Sequence, residues 1–266
     1  MAGIRRQRIG NRMANNKMKI IFLGGGEFGK IILEGLIEKG YKPAVVDDFR
    51  KIKNLKPDLV VVASYGKIIP KEILKIPKYG CLNVHGSLLP KYRGPSPIQT
   101  AILNGDEETG ITIILMDEKI DHGDVVANSK FKIQNSKLTY EELLKELANL
   151  GAKLLSETIP KWITGEIKPE PQDESRASYT KILKREDGKI DWSRPVSEIE
   201  KKIRAFNPWP GAFTFIKKNN KVIRVKILEA ELPKNNKLII KKLQPEAKKP
   251  MSFEEFKRGY PNFIIP

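Results

Sequence analysis

The stretch CLNVHG, residues 81–86, carries two residues that could act together on a reacting carbonyl. On a strand the side chains alternate, so Asn83 and His85 project to one face while Leu82 and Val84 point to the other. A carboxamide can offer an N–H to a developing oxyanion, and an imidazole can accept or relay a proton. His85 is one of only two histidines in 266 residues, which makes its surroundings informative. A second stretch, MDEKIDHGDVV (residues 116–126), leaves another apolar run and packs Asp117, Glu118, Asp121 and Asp124 into a loop where Gly123 permits a tight turn. An aspartate from that loop within reach of His85 would fix the tautomer of its ring. Asn83, His85 and Asp121 together would suit acyl-type transfer to an amine. Taken singly, His85 also reads as a core histidine satisfied by a carbonyl, and Asp121 as a turn-forming carboxylate. His122 adjoins Asp121 but takes the neighbouring side-chain direction, and reads as a loop residue. No spacing among the histidines and carboxylates supports a metal site.

A third stretch supports different chemistry. GGGEFG (residues 24–29) satisfies G-x-G-x-x-G with Gly24, Gly26 and Gly29, follows an apolar run and opens a helical pattern. Asp47 and Asp48 stand about 20 residues on, where a ribose-binding acid would fall. An NAD-dependent oxidoreductase is the distant alternative this defines. A glycine turn after the first strand of any such fold needs the same backbone freedom.

These residues need elements to hold them. KIIFLG (residues 19–24) is a short apolar run stopped by glycines and predicts a buried strand. Residues 27–40 place Phe28, Ile32 and Leu36 four apart and end on Gly40, the pattern of a helix. PAVV, DLVVVA, GCLNVH and GITIILMD read as further strands, and SPIQTAILNG as a helix. A long helix starts at Thr139, where Thr139 and Glu142 form a capping-box pattern ahead of leucines 143, 147, 150 and 154. Alternating helices and continuous apolar strands predict an α/β fold, a Rossmann-like, mostly parallel sheet covered on both faces, over residues 18–166. Ligands in such sheets bind outside the carboxyl ends of the strands, where Asn83 and His85 fall. Residues 167–187 are polar, lack apolar periodicity and read as a linker. Beyond them AFTFIK, KVIRVKILEA and KLIIKKLQ alternate apolar and polar residues, so residues 188–266 form a small basic β domain.

Charge narrows the partners. Lys and Arg number 49 against 32 Asp and Glu, a net +17, which predicts a polyanion such as nucleic acid or a phosphorylated ligand. Cys81 is the only cysteine, which leaves no intrachain disulfide and fits a reducing cytoplasm. No apolar run approaches the roughly 20 residues of a membrane span. Residues 1–17 are a basic tail, expected to be disordered. It reads as an RNA-contacting arm or as an extension upstream of a true start at Met18, and its lack of serine argues against a transit peptide.

The stretch NVHGSLLPKYRGPSPIQTAILNGDEETGITIILMDEKIDHGDVV resembles the catalytic core of the methionyl-tRNA formyltransferase family, whose members use 10-formyltetrahydrofolate. The resemblance implies that Asn83, His85 and Asp121 are the catalytic trio. It also implies a folate site: Ser87, Leu88, Leu89 and Pro90 match the SLLP loop, and ASYGKIIP resembles the segment lining the pterin pocket, bringing in Tyr65, Gly66 and Ile68. Asp117 and Glu118 would stand on the other side of that pocket. IDWSRPVSEIEKKIRAFNPWPGAFTF and LQPEAKKPMSFEEFKRG resemble the start and end of the family's C-terminal domain, an OB-like barrel that binds tRNA. The implied partner is initiator methionyl-tRNA, and the implied enzyme a cytoplasmic monomer that needs no metal and no covalent intermediate. Lys91, Arg93 and the lysine-rich C-terminal strands would meet tRNA phosphates. The family's long basic loop between the second and third strands is reduced here to residues 47–58. Amino-sugar nucleotide N-formyltransferases share the trio and are the nearer alternative.

Overall fold

The computed structural model describes residues 18–133, 137–218, 221–233 and 237–261. The basic tail expected over residues 1–17 lies outside the described residues. The chain divides into two compact units. One holds the strands up to Lys132 and continues through Leu144–Thr180; the other gathers Ile98–Glu107, Ile133–Leu143 and Lys181–Pro266.

In the first unit the apolar runs become a six-stranded sheet of order β2-β1-β3-β4-β5-β6. Strands β1 (Ile20–Gly24), β2 (Ala44–Val45), β3 (Leu59–Ala63) and β4 (Cys81–His85) run parallel. Between β1 and β2, helix α1 (Gly26–Glu38) buries Phe28, Ile32 and Leu36, the stripe its spacing predicts. Short helices α2 (Ile52–Leu55) and α3 (Lys71–Leu74) fill the next two crossovers. Ile21, Leu23, Val60, Val62, Leu74 and Cys81 join in one apolar cluster. Burial pushes the Cys81 thiol up to about 12, so it stays a protonated packing group rather than a nucleophile.

The parallel order stops at β4. β5 (Glu108–Leu115) pairs antiparallel with it, and β6 (Val125–Lys132) pairs antiparallel with β5. β6 occupies residues the sequence pattern left without an element. It lies at the sheet edge and buries only Val126, so it carries no apolar run that would reveal it. Along the chain, helix α4 (Pro97–Asn104), which belongs almost wholly to the second unit, follows β4, and the loop carrying Asp121 follows β5.

The glycine run after β1 has a packing reason. A side chain on Gly24 would stand 2.7 Å from the carbonyl of Ala63, and one on Gly29 3.0 Å from the same oxygen, so α1 seats directly against β3. Asp48 accepts the Arg50 N–H at 2.9 Å, and Asp47 pairs with Lys51 at 2.5 Å. Both acids offered to a ribose are held by their neighbours.

Helix α5 (Tyr140–Ile163) starts at the expected box: Thr139 N–H donates to Glu142 at 2.8 Å, and Glu142 N–H returns to the Thr139 hydroxyl at 3.4 Å. Its buried stripe runs through Leu143, Leu147, Ala148, Ala152, Leu155 and Ile159, while Leu150 and Leu154 lie at one edge of that face and are half-buried.

The second unit has helix α6 (Val196–Phe206) and a four-stranded antiparallel sheet of order β10-β9-β8-β7. Its strands are β7 (Phe213–Lys218), β8 (Lys221–Glu231), β9 (Ile239–Pro245) and β10 (Met251–Ser252), followed by helix α7 (Phe253–Gly259). Ile199, Ile203, Val225, Ile227, Leu243 and Phe256 form its core. The alternation seen in KVIRVKILEA thus places Val225 and Ile227 on an inward, buried face, with Arg224 and Lys226 between them half-buried.

Candidate active site

Strand β4 delivers Asn83 and His85 to one face, opposite Ile114 and Thr112 of β5. His85 is 6% exposed and Asn83 half-buried. Because β5 runs antiparallel, its last residue, Leu115, lies beside Leu82 near the start of β4. The loop after β5 therefore has to fold back along the sheet if Asp121 is to reach His85, and it does. Asn83 Nδ2 donates to Asp121 Oδ1 at 3.1 Å; Asp121 Oδ2 accepts the Gly94 N–H at 2.8 Å and faces His85 Nδ1 at 3.5 Å. The three residues singled out in the sequence stand together.

The other ring nitrogen corrects an expectation. His85 Nε2 lies 2.9 Å from the backbone carbonyl of Tyr92, which can only accept, so Nε2 carries the proton. Tyr92, rather than Asp121, fixes the tautomer. In the neutral ring Nδ1 is then bare and faces the carboxylate. Both partners of the ring sit in the left-handed backbone region, Tyr92 at φ 64° and Asp121 at φ 48°. For residues other than glycine that conformation costs on the order of 1 kcal/mol and persists only where the surroundings impose it.

Those surroundings come from the segment read as a linker. Val125 N–H donates to Glu170 O at 2.7 Å, and Ser178 N–H to Pro90 O at 3.2 Å; the Tyr92 N–H goes to the Ser178 hydroxyl at 2.9 Å. Gln172 bonds the Asp121 loop directly, at Asp121 O (2.9 Å) and Gly123 O (2.7 Å). Gly123 makes the fold-back possible, since a Cβ there would stand 1.9 Å from Leu115 O. Residues up to Thr180 accordingly belong to the first unit.

Arg93 is also not where its charge suggested. It is 0% exposed and makes a fork to Glu174, with Nη1 to Oε2 at 3.0 Å and Nη2 to Oε1 at 2.5 Å. It cannot meet tRNA phosphates. Its hydrogen bonds hold the Glu174 carboxyl below the usual carboxylate range, and the same bonds raise the guanidinium further. Lys91 is exposed and reaches over the Tyr92 ring at 4.5 Å.

The residues offered for folate fall in two groups. Ser87 is fully buried and donates to Lys91 O at 2.6 Å, while Leu88, Leu89 and Pro90 are half-buried, with Leu89 N–H tied to Thr112 at 3.0 Å. Tyr65 hydroxyl turns to the segment after β2, accepting from Phe49 N–H at 3.0 Å; Gly66 and Ile68 are exposed. Asp117 pairs with His122 at 2.5 Å, and Glu118 with Lys71 at 2.8 Å, which lowers the Glu118 pKa. His122 faces Asp117 and, at 3.5 Å, Glu174, away from the trio. Sequence reasoning missed Tyr92, Gln172 and Glu174, because a backbone carbonyl has no residue signature and polar residues in an aperiodic segment look like any linker.

This fold and site define a class. The family model described as Formyl transferase matches residues 38–159, and Formyl transferase, C-terminal domain, matches residues 182–238. A methionyl-tRNA formyltransferase of Bacillus velezensis is 37% identical over 300 aligned positions, covering 91% of this chain and 94% of the relative. Among solved structures, the methionyl-tRNA formyltransferase of Clostridium thermocellum superposes with a TM-score of 0.66 at 25% identity, covering 86% of this chain and 98% of that one. An N-formyltransferase of Helicobacter canadensis in complex with folinic acid and dTDP-3-aminofucose, at 22% identity and a TM-score of 0.61 over 81% of this chain and 88% of its own, shares the fold. The chain belongs to the methionyl-tRNA formyltransferase family. Among the described residues no helix is long and apolar enough to cross a membrane.

Proposed function

We propose that this chain transfers the formyl group of 10-formyltetrahydrofolate to the α-amino group of initiator methionyl-tRNA, with Asn83, His85 and Asp121 as its catalytic residues. The observation that carries the reading is one carboxylate, Asp121, touching the Asn83 amide and facing the His85 ring. A free α-amine has a pKa of about 7.7–8.0, so much of it must lose a proton before it can attack. On the tautomer set by Tyr92, Nδ1 of His85 is the ring atom that can take that proton, and the Asp121 carboxylate faces the imidazolium that results. Attack on the formyl carbon leaves a tetrahedral oxyanion. The Asn83 carboxamide has two N–H bonds; one is held by Asp121, and the second is available to that oxygen. Collapse of the intermediate breaks the bond from the formyl carbon to N10; the imidazolium returns its proton to that nitrogen, the attacking nitrogen gives its second proton to solvent, and tetrahydrofolate leaves with no group of the chain bonded covalently to the formyl carbon.

The donor is proposed to lie along Ser87, Leu88, Leu89 and Pro90, with its pterin between Tyr65, Gly66 and Ile68 on one side and Asp117 and Glu118 on the other. Residues 188–266 are proposed as the tRNA-binding domain and Lys91 as a phosphate contact, the enzyme acting as a cytoplasmic monomer. The test is to incubate the protein with formyl-labelled 10-formyltetrahydrofolate and to offer methionyl-tRNA and amino-sugar nucleotides in parallel. Label on the tRNA is expected. Label on the sugar would replace the acceptor, and label on neither would overturn the reading.

A further inference from the structure

Asp121 is aimed by its backbone, and that backbone is held from behind. Gln172 Nε2 donates to Asp121 O at 2.9 Å and Gly123 O at 2.7 Å, while its Oε1 accepts from Arg93 Nε at 3.1 Å and Nη2 at 2.8 Å. The partners fix the orientation of the amide: two carbonyls demand a donor on one end, and a guanidinium demands an acceptor on the other. Arg93 is in turn fully buried, forked onto Glu174 and bonded to the Tyr179 hydroxyl at 3.2 Å. Asp121 holds φ 48°, in the left-handed region that residues other than glycine adopt uncommonly and aspartate tolerates better than most.

We infer that Gln172 is a positioning residue for formyl transfer, fixing the backbone of Asp121 so that its carboxylate stands between Asn83 and His85, and that buried Arg93 acts through it. The inference rests on the proposed catalytic role of Asp121. Placement matters because a shift of about 1 Å in a reacting group can cost about 10²-fold in rate.

Gln172→Glu keeps the volume and the Arg93 contact but turns oxygen toward two carbonyls. Gln172→Met removes the donor and the acceptor together and adds no charge. Both variants are expected to lower kcat at least about tenfold while leaving KM for folate and tRNA within about threefold, the signature of a lost transition-state interaction. The second readout needs no activity: with only two histidines, ¹⁵N imidazole spectra resolve His85 from His122, the latter assigned through His122→Gln. The His85 Nδ1 signal, which reports the Asp121 contact, is expected to shift in both Gln172 variants. If Gln172→Glu loses cooperative melting, Gln172→Met decides. An active wild type with both variants unchanged in kcat and in the His85 signal overturns the inference. A wild type that transfers no formyl group overturns the proposed reaction instead, while the His85 signal still decides the geometric claim.

Discussion

The two sides of the site are built by different means. Asn83 and His85 sit two apart on β4, a strand paired with β3 and β5, and its alternation sets which face both side chains take. Asp121 sits in a loop with no ladder of its own, and its place depends on Gly123, on Gln172 and on a fully buried Arg93. The strand side is local and robust. The loop side is non-local, and its backbone carries an aspartate in the left-handed region, held by hydrogen bonds from Gln172.

The comparison can be broken from either side. His85→Ala or Asn83→Ala should each reduce turnover by about 10²- to 10³-fold while folate affinity stays within a few-fold, because the strand that presents them survives. Near-normal steady-state rates in either variant would remove the strand side from the chemistry. Gly123→Ala is the matching test of the loop: its methyl group would stand 1.9 Å from Leu115 O, so the turn must move, and a loss of about 10²-fold in kcat with unchanged circular dichroism is expected. Activity retained in Gly123→Ala would show that the fold-back tolerates displacement.

Smaller effects sharpen the picture. The Glu174 pKa lies below its ordinary 4.5, first because Arg93 bonds it, so its contribution to stability is present above that value and is lost as pH falls through the folded-state pKa. The melting temperature should therefore begin to drop as pH falls below the ordinary 4.5, and Glu174→Gln should flatten part of that drop. A parallel fall in both proteins would place the acid sensitivity elsewhere. Finally, exposed Lys91 should contribute to RNA binding through phosphate charge alone. Lys91→Gln is expected to reduce the slope of log K against log salt by at most about 0.9, and an unchanged slope would remove Lys91 from the interface.

How far the sequence reached can be followed residue by residue. The apolar runs at 20–24, 59–63 and 81–85 are strands, the stripe of Phe28, Ile32 and Leu36 is buried, and the Thr139–Glu142 box starts its helix. The pairing of Asn83 with His85 was legible from strand alternation, and Asp121 from its resemblance to a known family. Arg93 was misread as a surface charge, because nothing in KYRGPS says that Glu174 and Gln172 will close over it from some 80 residues away. β6 leaves no mark in the sequence pattern, because an edge strand has no need of an apolar run.

The sequence by itself determined which face of β4 holds the amide and the imidazole, since the two-residue repeat of a strand is a property of the backbone and needs no partner. The tertiary structure alone decided that β5 runs antiparallel, that the following loop therefore returns across the sheet, and that a Tyr92 carbonyl settles which nitrogen of His85 holds the proton. Strand direction and ring tautomer depend on groups brought near by folding, and no spacing along the chain encodes that proximity.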